Sequence, residues 1–239
     1  MYEYFANVYD ELNRKANYKK RSEYVLKLFR LYGEKMPTLL LDLCCGTGEF
    51  TKEFVKNKID VIGVDLSEDM LNIARSKCNS LFICQKASEL DLYGTVDGAV
   101  CMLDSLNHIT SKYELLKTFK KVSLFLEKDK LFIFDVNTVY KHKNILANNA
   151  FCFDKEDYFA VWQNETKNNK TEIFIDIFKK NGENYTRYSE SFFERAYTDD
   201  EIKDFAKKSG FVVLDVFDDL TFLKPNEKSE RLYYILKKI

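Results

Sequence analysis

The apolar run Leu39-Leu40-Leu41 meets an acid at Asp42. After Leu43-Cys44-Cys45 it breaks into Gly46-Thr47-Gly48, and a helical pattern opens at Glu49-Phe50. A run apolar on both faces reads as a parallel strand buried between helical layers. The glycines let the backbone turn sharply and approach a ligand with no Cβ in between. The helix that follows directs its unpaired N–H groups at the same point. In open α/β sheets ligands bind at the carboxyl ends of the strands, which is where this turn falls.

The second strand narrows the choice of ligand. Ile59-Asp60-Val61-Ile62-Gly63-Val64 ends at Asp65. An acid about 20 residues past a glycine turn can accept both hydroxyls of a ribose. The dinucleotide fingerprint wants a third glycine, and Thr51 stands in its place. The combination instead resembles the class I S-adenosylmethionine-dependent methyltransferases, most closely over residues 36–139. The resemblance implies a Rossmann-like, doubly wound α/β fold with a mostly parallel sheet. It implies that the turn, with Asp42, Cys44, Gly46, Thr47 and Gly48, faces the methionine part of the cofactor, and that Asp65 holds the ribose. Leu66 either packs on adenine or joins the core, and Met70 follows it into the expected cofactor set.

One departure stands after the third strand, Leu81-Phe82-Ile83-Cys84. The resembled family usually places an acid there that accepts the adenine amine. This chain has Lys86, which offers no acceptor. The contact then falls to the Ala87 backbone, or to Ser88 or Glu89 in its place. The fourth strand, Val96 to Leu103, runs into Asp104-Ser105-Leu106-Asn107-His108. Leu103 and Asp104 complete the expected cofactor set. Family members acting on sugar amines and on glycine carry a histidine at the matching place, which implies a general base at His108. The alternative is a helix-start histidine bonded to nearby backbone. His142, past the fifth strand among lysines, is expected at the surface.

The ends of the chain surround this centre. Residues 1–35 carry Tyr2, Tyr4, Phe5 and Tyr9 ahead of a helix that begins at Tyr18 and stops at Gly33. In the resembled family such an aromatic segment folds over the cofactor as a lid, with Tyr9, Tyr18 and Arg21 as contacts; a packed surface helix is the alternative. Beyond the fifth strand, Leu131-Phe132-Ile133-Phe134, three strand-like runs follow with no helix between them: Asp157–Gln163, Thr171–Lys179 and Tyr185–Glu194. They read as a three-stranded antiparallel meander inserted at 150–195, either a roof over the acceptor or a dimer surface. A helix from Asp199 to Ser209 and strands Phe211–Val216 and Arg231–Lys237 return the chain to the sheet. The cofactor domain is therefore expected at 36–140 with 196–239. Asn107, Asn137, Arg195 and Tyr197 are the expected acceptor contacts.

Composition bounds the partners. A net charge of −1 argues against a nucleic acid held by broad charge attraction. Asp104-Ser105-Leu106-Asn107 lacks the prolines of the Asn/Asp-Pro-Pro-aromatic run expected of enzymes that methylate a flipped base. Six cysteines without a Cys-x-x-Cys pair point to free thiols in a reducing cytoplasm and not to zinc. Met1 to Asn13 does not read as a secretory signal, and no apolar run reaches the ~20 residues of a membrane span. The expectation is a cytoplasmic monomer or homodimer. It methylates N or O of a small soluble acceptor from S-adenosylmethionine by in-line displacement, releases S-adenosylhomocysteine and uses no metal. Three alternatives compete: a nicotinamide-dependent oxidoreductase, an RNA or protein methyltransferase, and a cofactor-binding protein without turnover.

Overall fold

Strand residues of alternating direction feed two separate apolar layers. A computed structural model describes residues 9, 10, 12, 13 and 16–239. Tyr2, Tyr4 and Phe5 lie outside the described residues. The chain runs α1 (Tyr18–Tyr32), β1 (Leu39–Leu43), α2 (Glu49–Lys56), β2 (Asp60–Asp65), α3 (Glu68–Lys77), β3 (Leu81–Cys84), β4 (Gly98–Cys101), α4 (Lys112–Phe125) and β5 (Leu131–Asn137). It continues through β6 (Ala150–Asp154), β7 (Tyr158–Lys167), β8 (Lys170–Asn181), β9 (Asn184–Arg195), α5 (Asp199–Lys208), β10 (Phe211–Asp218) and β11 (Arg231–Lys238).

The main sheet has seven strands in the order β10-β11-β5-β4-β1-β2-β3. β1 to β5 are parallel, whereas β11 pairs antiparallel with both β5 and β10. On one face Leu40, Val61, Val100 and Ile133 meet Val25, Leu28 and Phe29 of α1 and Phe54 of α2. On the other, Leu41, Ala99, Phe132 and Phe134 meet Leu115 and Phe119 of α4 and Ile202 and Phe205 of α5. The order reverses between β1 and β4, so a crevice opens at their carboxyl ends.

Three expectations change here. The helix from Tyr18 is a layer of the sheet: Val25 and Leu28 are fully buried in its core, because its apolar stripe is wide enough to need a sheet face. The meander has four strands, in the order β6-β7-β8-β9. The added one, Ala150–Asp154, pairs antiparallel with β7 and places Phe151 and Phe153 on alternate positions; it is too short to stand out from its polar surroundings. The fourth strand of the main sheet ends at Cys101, since Leu103 and Asp104 both take left-handed backbone angles, φ 52° and 49°.

The meander packs on the body that carries the main sheet through Ile173, Ile175, Ile177 and Ala160, which cluster with Leu12 and with Met70 of α3. That contact carries β9 and β7 over the crevice.

Candidate active site

A cavity of about 690 Å³ lies at the carboxyl ends of β1, β2 and β4, under the meander. Its floor is the glycine turn. Gly46 has φ 53°, and a Cβ built there would meet nothing within 4 Å, so its open face looks into the cavity. Gly48 serves a different purpose. It caps α2 at φ 74°, and a Cβ there would lie 2.8 Å from the Ala74 Cβ. The second glycine thus lets α3 approach the turn.

Asp65 closes the floor. Its Oδ2 accepts from the Gly46 N–H at 2.8 Å and its Oδ1 from the Ser67 N–H at 2.9 Å. A carboxylate offers about four acceptor positions, so capacity remains for hydroxyls. Burial raises the Asp65 pKa against those backbone bonds. Asp42 lies behind the turn, buried, and accepts from Thr51 Oγ1 at 2.5 Å. Burial pushes its carboxyl up to about 7, with the Asp65 charge adding and the Thr51 bond opposing. Thr51, in the place of the fingerprint's third glycine, is thereby used to hold the acid of β1.

At one end of the cavity stand Leu66, Met70, Lys86, Ala87 and Ser88. Leu66 is 69% exposed, so it belongs to the cavity wall and not to the core. Lys86 Nζ pairs with Glu114 of α4 at 2.8 Å, and Ser88 Oγ donates to the same carboxylate at 2.5 Å. An acceptor therefore does stand at this end, supplied by Glu114 three residues past the Ser111 cap. Sequence reasoning looked for it immediately after β3 and missed it.

The opposite end is formed by Tyr9, Asn13, His108, Trp162, Phe192 and Glu194, with Cys44, Leu103 and Asp104 between. His108 stands on the single turn Ser105–His108, and its ring lies tilted at 36°, 5.1 Å from the ring of Phe192 of β9. Its side chain is 44% exposed; desolvation among the surrounding protein groups lowers its pKa, while Asp104 and Asp65 oppose. The turn beneath it is held by Asp135 of β5, whose oxygens accept from the Leu103 and Asp104 N–H groups at 2.8 and 3.0 Å. Arg231 of β11 pairs with Asp135 and, at 2.6 Å, with Asp104. Burial would raise the Asp104 pKa, but Arg231, Lys141 and His108 hold it down at about 2.

Several expected contacts lie off the cavity. Arg21 is buried and donates to Asp219 at 2.6 Å and to the Tyr233 hydroxyl at 2.7 Å. Tyr18 packs edge-on against Phe50. Thr47 donates to Asp10 at 2.6 Å, and Lys77 bonds the same Asp10 at 2.5 Å, which ties the N-terminal segment to the glycine turn. None of the four expected acceptor contacts is a wall of this cavity. Asn107 is fully buried; it donates to the carbonyls of Asn137 and Arg195 and accepts from the Asn137 N–H. Where three elements end together, their orphaned backbone groups need such a side chain. Asn137 donates to Asp104 at 2.5 Å. Arg195 lies over the ring of Tyr197, and the Tyr197 hydroxyl donates to the Ile109 carbonyl.

His142, expected at the surface, is fully buried. It sits on a π turn after β5, with Nδ1 2.8 Å from Thr171 Oγ1 and Nε2 3.6 Å from Glu194 Oε2. Burial lowers its pKa to about 4. Trp162, Phe192 and Glu194 were legible only as residues of strand-like runs. Nothing in their spacing relates them to His108.

The family profile described as "Methyltransferase domain" matches residues 40–129. The putative methyltransferase YqeM of Bacillus subtilis is 32% identical over 245 residues, covering 100% of this chain and 97% of that protein. An S-adenosylmethionine-dependent methyltransferase from Clostridium acetobutylicum superposes with TM-score 0.90 at 33% identity, covering 99% of this chain and 98% of that one. An amino pentose methyltransferase from Micromonospora echinaspora, solved with SAM bound, shares the fold at TM-score 0.77 and 16% identity, with coverage of 95% and 96%.

Proposed function

This chain belongs to the S-adenosylmethionine-dependent methyltransferases, and from that premise we propose that it methylates a nitrogen or oxygen of a small soluble acceptor, with His108 as the base. Membership removes the nicotinamide alternative. The observation that carries the proposal is that Gly46, Asp65 and His108 are walls of one cavity. Its volume is in the range of roughly 300–1,000 Å³ typical of small-ligand sites.

The residues fit the cofactor. The open face of Gly46 is a cradle that any side chain would fill, and Asp65 keeps acceptor positions for a diol. Leu66 and Met70 offer apolar contact to a purine, with the Lys86–Glu114 pair at its edge. When bound, S-adenosylmethionine supplies a methyl on a sulfonium, displaced in line by a nucleophile to leave a neutral thioether. The chain's own tasks are to align, exclude water and accept a proton. Alignment is worth about 7–11 kcal/mol of barrier; a base adds about 10²–10⁴-fold. Tyr9 and Asn13 of the N-terminal segment, Trp162 of β7 and Phe192 and Glu194 of β9 cover the cavity. In this reading they form lid and roof. Cys44, Leu103 and Asp104 line the floor between cofactor and acceptor.

The test is incubation with methyl-labelled cofactor and fractionated metabolites, followed by mass analysis. Label in a small amine or alcohol is expected. Label confined to RNA or protein would overturn the acceptor class.

A further inference from the structure

Glu194 is the last acid of β9 and one of the most confined in the chain, 4% exposed, yet it borders the cavity. Its two oxygens face two different histidines. Oε1 lies 3.6 Å from His108 Nε2, and Oε2 lies 3.6 Å from His142 Nε2. Glu194 Oε2 and His142 Nε2 have no hydrogen-bond partner among the described residues. Such a separation leaves no room for a bridging water, and it exceeds the N–H···O range of about 2.7–3.2 Å by only a few tenths. Buried polar groups left unpaired are costly, so Glu194 and His142 in this state, with His108 at the other Glu194 oxygen, suggest an arrangement that closes when a charge arrives.

We propose that Glu194 is the positioning partner of His108, the two holding one proton between them, with His142 bracing Glu194 from the meander side. The inference rests on the reading of His108 as base. As the acceptor's heteroatom gains the methyl group, its proton passes to the His108 imidazole. The pair is competent when it holds no proton, above its upper titration step; the Glu194 carboxylate then balances the imidazolium formed by that transfer, and no further reactant is needed. His142 is suited to bracing because Thr171 of β8 holds its other nitrogen.

The groups around Glu194 set its charge. Asp104, from the turn after β4, faces it as a like charge, and Tyr9 lies near it from the N-terminal segment. Lys141 and Arg231 face it as cations from the turn after β5 and from β11, and the Asn137 amide is beside it. Burial and Asp104 outweigh the cations, and its pKa is pushed up to about 8. Two interacting groups titrate as a pair, in two macroscopic steps. In the proposed pair, whose members lie 3.6 Å apart, the first proton taken up on acidification is shared by Glu194 and His108. The second falls below the ordinary histidine value, the direction in which desolvation moves His108.

The chain has only two histidines, so ring resonances read this directly and without an acceptor. The experiment is a proton NMR titration of the full chain saturated with S-adenosylhomocysteine, for wild type, Glu194→Gln and Glu194→Asp. In wild type the His108 ring should titrate in two steps, one near pH 8 and one below 6.5. Glu194→Gln should abolish the upper step, Glu194→Asp should restore part of it, and the affinity for S-adenosylhomocysteine should stay within about threefold. A single sigmoid for His108 in wild type overturns the proposal, even if the variants fail to fold. So does an upper step that persists in Glu194→Gln. The base reading fails separately: a coupled pair with full turnover in His108→Ala would leave the proton sharing intact and remove its catalytic use.

Discussion

Asp65 joins two backbone N–H groups of its surroundings into one acceptor site, and its loss should be felt in binding more than in folding. Hydrogen bonds to a charged group are worth about 1.5–3 kcal/mol. Asp65→Ala should therefore weaken S-adenosylmethionine binding by roughly 10- to 150-fold, read by calorimetry. Unchanged affinity in a folded variant would exclude Asp65 from the cofactor site. His108→Ala should behave in the opposite way, with cofactor affinity kept and turnover of the labelled acceptor reduced by about 10²–10⁴. The acidic limb of the pH profile should disappear with it. Both positions were readable at strand ends, Asp65 from its distance past the glycine turn and His108 from the family resemblance. Glu194 was not, since the contact that gives it meaning spans from residue 108 to residue 194.

The turn after β4 depends on strands far from it in the chain. Two consecutive non-glycine residues at positive φ are strained, and Asp135 of β5 and Arg231 of β11 hold them. Removing one partner of a buried ion network leaves the others uncompensated, at a cost of about 3–5 kcal/mol. Arg231→Met should lower stability by that order in urea unfolding, as two carboxylates lose their common cation. A loss below about 1 kcal/mol would mean that the network adds no more than a surface pair. The meander makes a second case. Ile175 is buried between the roof and α3, and Ile175→Ala should cost about 2–5 kcal/mol. If the roof confines the acceptor, the acceptor's KM should rise in the same variant.

Cofactor binding links to the stability of the fold. S-adenosylmethionine at about 100 times its dissociation constant should stabilise by about 2.7 kcal/mol, a rise in Tm of roughly 5–10 °C for a chain of this size. NAD should give none, and a shift with NAD alone would contradict the assignment of the glycine turn. Acid–base linkage acts through Asp42. Its folded pKa of about 7 exceeds the unfolded value of about 3.9. The stability it contributes is therefore complete below that unfolded value and is lost as pH rises through about 7. Asp42→Asn keeps an acceptor for Thr51 and removes this loss. Relative to wild type, the variant should gain on the order of 2–4 kcal/mol between pH 5 and pH 8 in urea titrations. A difference constant across that range would show that Asp42 is not held in its neutral form.

The order of strands and helices, the glycine turn, the acid that ends β2 and the position of the histidine after β4 all follow from local pattern. Each is a matter of which side chains neighbours in the chain allow, and 3.6- and 2-residue periods record it. Tertiary structure alone decided the rest. It turned Arg21, Asn107 and Asn137 from expected ligand contacts into internal ties, because their polar atoms meet backbone and acids that the sequence places many residues away. It buried His142, whose lysine neighbours suggest a surface. It brought Glu114 against Lys86, the residue that stands where the resembled family usually places an acid. Above all it set Glu194 between two histidines, an outcome of how the meander lies on the sheet. That lie is fixed by the packing of Ile173, Ile175 and Ile177 against Leu12 and Met70, which no local pattern encodes.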